Sequence, residues 1–153
     1  MIISSIYKTA DNDGLIAHIY EHLLAQYVLK RLQYNGFFVL SDIILSAKTY
    51  GDTCFMDAEL YSPEAKKTYD EALREFDKLG MPEDDILRAA GECGIEMNRN
   101  IAEVDRSELS KKLREVQISP WRKQIDMAYR KAHDESSVNT LFRTSYIKYS
   151  KES

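Results

Sequence analysis

The fold is decided by residues 13–36, which read DGLIAHIYEHLLAQYVLKRLQYNG. Apolar residues recur there in pairs four positions apart, at Leu15/Ile16, Ile19/Tyr20, Leu23/Leu24 and Tyr27/Val28. This spacing places a broad apolar stripe along one side of a helix. Asp13 or Asn12 can cap the start of the helix, and Asn35-Gly36 can end it. The stretch therefore predicts a long helix from Leu15 with one buried side.

Strand patterns lie on both sides of this helix. Residues 2–8 (IISSIYK) and 43–49 (IILSAKT) are rich in β-prone residues, and residues 53–61 alternate in polarity. One face of the 53–61 segment would carry Cys54, Met56, Ala58 and Leu60. Tyr50-Gly51-Asp52 reads as the turn of a hairpin that joins the second and third segments. Because one face of the alternating segment is apolar and the other polar, an antiparallel pair is predicted.

Further helices are predicted downstream. Ser62-Pro63 opens one that runs to about Leu79, and Pro82 opens another that carries Cys93 and continues past Ile101. Residues 107–117 look helical until Ser119-Pro120, residues 121–135 are helix-prone, and residues 141–149 alternate like a last strand. The fold class is therefore α+β, with an antiparallel or mixed sheet and helices packed on one face. We expect a single domain over residues 1–153.

Composition and charge limit the kinds of protein that the chain can be. It has 153 residues, 44% hydrophobic and 30% charged, with a formal net charge of −4. These values predict one soluble globular domain with no attraction to nucleic acid or to an acidic membrane. The two cysteines form no disulfide framework, and no apolar run reaches the roughly 20 residues that a membrane helix needs. No signal peptide is evident at the N-terminus, so a cytoplasmic location is expected.

One motif on the first long helix carries chemistry. His18-Ile19-Tyr20-Glu21-His22 places two histidines four residues apart, on the same side of the helix and one turn from each other. Two neutral imidazoles can hold zinc, and a carboxylate beside them can take a proton from activated water. His18 and His22 are therefore predicted Zn²⁺ ligands, with Glu21 as general base.

A catalytic zinc site needs a third protein ligand. The helix after Pro82 offers Glu92, Cys93 and Glu96, which are three or four residues apart and can share one broad face. The spacing alone does not choose among them.

The motif and two later segments resemble the pitrilysin/insulysin family of inverzincin zinc metallopeptidases. Gly14–Leu24 is similar to the zinc helix of that family, Ser46–Thr53 to its Asn-Ala-x-Thr strand and turn, and Glu96–Asn100 to the segment that supplies the third ligand. The resemblance covers roughly residues 14–100, the expected core of the metal site. Ala89 departs from it, because the family often has a second glutamate seven residues before the ligand.

The resemblance implies a peptidase. Its ligands would be His18, His22 and Glu96, with Cys93 as the alternate third ligand, and Glu21 would be the general base. The strand at Ser46 and Ala47 would receive an extended peptide substrate by backbone pairing. Because family members work as paired halves, a homodimer or a second peptidase-like subunit is expected.

Two alternatives stay open. S-ribosylhomocysteine lyases share this helix motif and bind zinc through two histidines and a cysteine followed by glycine, which Glu92-Cys93-Gly94 resembles. Their catalytic cysteine on the strand turn corresponds by spacing to Gly51, so the peptidase interpretation is preferred. The third interpretation is a non-catalytic partner subunit of a peptidase.

Overall fold

Four helices and four strands make up the part of the chain that the computed structural model describes. This part comprises residues 1–97 and 106–123, with the backbone alone for residues 95–97. In chain order the elements are β1 (Ile2–Thr9), α1 (Gly14–Tyr34), β2 (Ile43–Tyr50), β3 (Thr53–Leu60), α2 (Pro63–Lys78), α3 (Glu83–Met97), α4 (Arg106–Ile118) and β4 (Arg122–Lys123). The predicted α+β class is confirmed.

Helix α1 has the predicted caps and begins at Gly14, one residue before the predicted start at Leu15. The Asp13 side chain accepts a hydrogen bond from the backbone N–H of Ile16, which satisfies one of the free donors of the first turn. At the other end Asn35 caps the helix, and Gly36 follows with a φ of 85°, a left-handed conformation that glycine adopts readily. Ser62 caps α2 in the same way by accepting from the N–H of Ala65.

The sheet is antiparallel, with strand order β2-β3-β1-β4. Tyr50 pairs with Thr53 across a two-residue turn, where Gly51 has a φ of 60°. Glycine at the first central position with positive φ is typical of the type II′ turns that close hairpins. The predicted hairpin turn is therefore present, and it fixes the register of β2 against β3.

The helices pack on one face of this sheet, around α1. Cys54, Met56, Ala58 and Leu60 of β3 are all buried on the face that α1 covers. The hydroxyl of Thr49 in β2 donates to the carbonyl of Ala17, at 3.3 Å. A Cβ added at Gly14 would lie 2.8 Å from the carbonyl oxygen of Gly51. The start of α1 is thus pressed directly against the β2–β3 turn.

A buried lysine joins β1 to the helices. Lys8, which is 2% exposed, donates from Nζ to Asp77 at 3.0 Å and to the carbonyls of Val116 and Gln117 at 3.3 and 2.9 Å. The two carbonyls lie in the last turn of α4, where helical acceptors lack partners within the helix. Desolvation lowers the pKa of Lys8, and the nearby Asp77 carboxylate opposes this change. The ammonium group therefore ties α2 and the end of α4 to the sheet.

The segment after Pro120 differs from the prediction. Residues 122–123 pair with Ile6 and Tyr7 as strand β4, so no helix begins at residue 121. Proline breaks α4 there, and the outer edge of β1 offers backbone partners to an extended chain. The rest of the predicted 121–135 helix, the continuation past Ile101 and the 141–149 strand lie outside the described residues. None of the described helices has the length and apolar character needed to cross a membrane.

Candidate metal centre

The two histidines of the motif lie side by side on α1. Their ring centroids are 4.9 Å apart, and the ring planes meet at 65°. Both residues are partly buried, and the His22 side chain is 15% exposed. One helical turn therefore presents two imidazoles to the same partly enclosed space, as the four-residue spacing predicted.

Helix α3 brings a thiol to the histidines. One potential ligand atom each from His18, His22 and Cys93 lies within 4.8 Å of the other two. For tetrahedral zinc, Zn–S and Zn–N bonds of about 2.3 and 2.1 Å require S···N separations of about 3.6 Å. Shifts of about 1 Å, within the range of side-chain rotation, would bring the three atoms to that separation. Imidazole nitrogen and thiolate sulfur are both atoms that zinc accepts as ligands. The donor atoms of His18, His22 and Cys93 are therefore compatible with a zinc site.

The packing of α3 against α1 is antiparallel. His22 Nδ1 lies 3.0 Å from Glu92 Oε2, and one turn further along α1 Gln26 accepts from Arg88 at 3.2 Å. Moving four residues forward along α1 therefore corresponds to moving four residues backward along α3. This register places Cys93, next to Glu92, beside the histidine pair.

The acid of the motif is buried next to the cluster. Glu21 is 1% exposed, and its Oε2 lies 3.8 Å from His22 Nε2. The negative charge of Glu21 also acts on the Cys54 thiol on β3. Burial raises the pKa of the Cys54 thiol well above its usual value, and the Glu21 carboxylate raises it further. The Glu21 carboxylate is therefore near His22 on α1 and acts electrostatically on the buried Cys54 thiol on β3.

The other predicted ligand, Glu96, belongs to the last turn of α3. Its side chain lies outside the described atoms, so its role stays a prediction. Within the described residues, Cys93 is the member of α3 that joins the histidines.

The predicted substrate-binding residues lie on β2, which has β3 as its only neighbour among the described strands. Just beyond the last β2–β3 residue pair, the backbone N–H of Tyr61 donates to the carbonyl of Asp42. The backbone groups of Asp42 therefore point toward the β3 side, and the direction alternates from one residue to the next along β2. By alternation, the backbone groups of Leu45, Ala47 and Thr49 point away from β3. Ser46 and Ala47 are nevertheless buried, at 3% and 0% exposure. Peptide pairing at Ala47 therefore requires this edge to become accessible first.

The contact of Glu92 with His22 was not predicted. Sequence spacing placed Glu92 among three candidates on one face but did not indicate that it would touch an imidazole ring nitrogen. That contact depends on the register between two helices that are distant in the sequence. Neither a protein-family model nor a curated protein sequence matches the chain.

Proposed function

We propose that the protein is a zinc-dependent metallopeptidase that hydrolyses extended peptides, with His18 and His22 as ligands and Glu21 as general base. The observation that carries this proposal is the convergence of two imidazoles and a thiol within 4.8 Å beside a buried carboxylate. Buried ionisable groups are costly to a fold and are concentrated at functional sites.

The chemistry that zinc supplies when bound is polarisation of the scissile carbonyl and a lower pKa for the attacking water. Glu21 accepts a proton from that water and passes it to the leaving amine. Its burial serves this role, because exclusion of solvent strengthens the electrostatic effect of each charged group in the site. His18 and His22 would hold the ion on one side of α1.

Cys93 is the proposed third ligand, and Glu96 is the alternative. Support for Cys93 is its position in the cluster. Support for Glu96 comes from the register of α3 against α1, in which positions 22 and 92 and positions 26 and 88 are paired. Continued by one turn, that register brings backbone position 96 level with His18. The two residues are one turn apart on α3, so a single metal can use either.

The proposed substrate pairs with the outward backbone groups of β2 near Ala47. Thr49 links this strand to the carbonyl of Ala17, which immediately precedes the first ligand. A peptide on this edge would therefore run toward the metal. Since Ala47 is fully buried, binding would be coupled to an opening of the edge.

A second candidate is a zinc lyase that acts on a small molecule, as the resemblance to S-ribosylhomocysteine lyases suggests. The participation of Cys93 in the cluster favours it. Cys54 argues against it, because this thiol is fully buried on β3 and its raised pKa keeps it protonated. A proton shuttle needs a thiol that titrates near neutral pH and reaches the substrate.

The proposed assembly is a homodimer or a complex with a second peptidase-like subunit that completes substrate binding. The proposed location is the cytoplasm, which suits the two cysteines because both are free thiols. A non-catalytic partner subunit is the remaining alternative.

The test is peptide cleavage by the Glu21→Gln variant. Loss of the general base should lower the rate of cleavage by a factor of about 10² to 10⁴. Zinc content should stay near that of the wild-type protein, because the ligands are unchanged. Glu64→Gln, at an exposed site in the first turn of α2, is the matched control and should cleave normally. Wild-type protein that holds no zinc would refute the proposal, as would full activity in Glu21→Gln.

A further inference from the structure

Glu92 contacts a ring nitrogen of a proposed zinc ligand. Its Oε2 lies 3.0 Å from His22 Nδ1, which is hydrogen-bonding distance. An ionised carboxylate can only accept, so Nδ1 must be the donor. The other ring nitrogen, Nε2, lies toward Glu21.

This hydrogen bond selects one tautomer of the imidazole. With the proton held on Nδ1 by Glu92, the lone pair of neutral His22 is on Nε2. Imidazoles that bind metals generally donate their second N–H to a carboxylate or carbonyl, which fixes the ring orientation and makes the ligand more basic. Glu92 supplies such a carboxylate from a different helix.

The same contact also positions α3. Glu92 immediately precedes Cys93, so the hydrogen bond that His22 donates to Glu92 helps to hold the thiol beside the histidine pair. One turn away the Arg88–Gln26 hydrogen bond connects the same two helices, but neither of those residues belongs to the cluster. The contact of Glu92 with His22 therefore connects the helix segment that carries Cys93 to a proposed ligand on α1.

We infer that Glu92 is a positioning residue for the metal centre, which sets the tautomer of His22 and the approach of Cys93. The inference rests on the proposed function, because it assumes that the cluster binds zinc.

The experiment measures zinc affinity by chelator competition in wild-type protein, Glu92→Ala and Glu92→Gln. Loss of an outer carboxylate should weaken zinc binding by about tenfold or more. Glu92→Gln should recover part of this loss, because its amide oxygen still accepts from Nδ1. Asp84→Asn, at an exposed site in the first turn of α3, is the matched control and should bind zinc like wild type.

A second measurement detects the tautomer without metal. Nitrogen-15 NMR of zinc-free wild-type protein should show His22 protonated on Nδ1, with the resonance assigned by a His22→Gln variant. In Glu92→Ala the Nε2–H form should increase. A general loss of structure would not produce this change in one histidine, and half of the Glu92 side chain is exposed, so the variant should fold.

The outcomes separate the two proposals. Unchanged zinc affinity and an unchanged His22 tautomer in Glu92→Ala would overturn the role of Glu92 and leave the metal site intact. Absence of zinc binding by the wild-type protein would overturn both proposals.

Discussion

Removal of the Cys93 thiol is the sharpest test of how the metal is held. The described part of the site has three potential ligand atoms within 4.8 Å, and Cys93→Ala leaves two. Loss of a residue that only supports a metal ligand weakens metal binding by up to about hundredfold. Loss of a direct ligand should therefore raise the dissociation constant for zinc by at least that factor. Zinc present at 100 times the wild-type dissociation constant stabilises the native protein by about 2.7 kcal/mol. The same zinc concentration would stabilise the variant by only about 0.4 kcal/mol.

Thermal unfolding with and without zinc measures this difference. For a domain of this size, 1 kcal/mol corresponds to about 2–4 °C in Tm, so zinc should raise the Tm of the wild-type protein by about 5–10 °C. In Cys93→Ala the rise should be about 1–2 °C. The chain provides a matched control in Cys54, the other fully buried free thiol. Cys54→Ala should lower the Tm without zinc and keep the full zinc-dependent rise.

A wild-type zinc response in Cys93→Ala would refute this reasoning. If Glu96→Ala then loses the response, the third ligand is the glutamate and the resemblance to inverzincin peptidases gains support. If only Cys93→Ala loses it, the donor set is the one that the lyases use, and the peptidase proposal then depends on the cleavage assay alone.

Three further predictions concern stability. Lys8→Met should destabilise the native state by about 2–3 kcal/mol in chemical denaturation, because the Gln117 carbonyl loses its buried donor and the Asp77 carboxylate loses its ammonium partner; an unchanged midpoint would show that the lysine is dispensable. Gly14→Ala should cost about 1–2 kcal/mol through the clash with the β2–β3 turn, whereas Gly91→Ala, with open space around its added methyl, should be neutral or stabilising. Burial raises the pKa values of Cys54 and Tyr20, so above pH 9 the unfolded chain releases protons that the native state keeps, and stability should fall as pH rises. Denaturation at pH 8 and pH 10 should show a smaller fall in Cys54→Ala, and an equal fall would contradict this assignment.

Local signals in the sequence predicted most of the described elements. The Asp13 cap, the Ser62-Pro63 start and the Gly51 turn each act within a few residues, so their effect does not depend on the rest of the fold. The pairing of His18 with His22 is also local, since helical periodicity alone puts them on one side. These features were confirmed because short-range geometry determines them.

Other features depend on contacts between distant segments, and the sequence did not reveal them. The burial of Lys8 requires a carboxylate from α2 and carbonyls from α4, which are 69 and 108–109 residues away. The strand at residues 122–123 was predicted as helix, because its β1 partner lies more than 110 positions earlier. The choice between Cys93 and Glu96 has the same origin, because both lie on one face of α3 and only its register against α1 distinguishes them.

The position of Glu21 gives the strongest physical reason to seek a reaction at this site. It lies on the buried side of α1 with neighbours such as Ile19, Tyr20 and Leu24, which are completely buried. A leucine there would gain free energy from burial, whereas a carboxylate must give up its hydration. Burial at this position therefore has a desolvation cost for Glu21 that an apolar side chain would not have. In the proposed zinc site, a carboxylate held out of water beside His22 would be in place to transfer protons, and a buried, preoriented base is an advantage for that role.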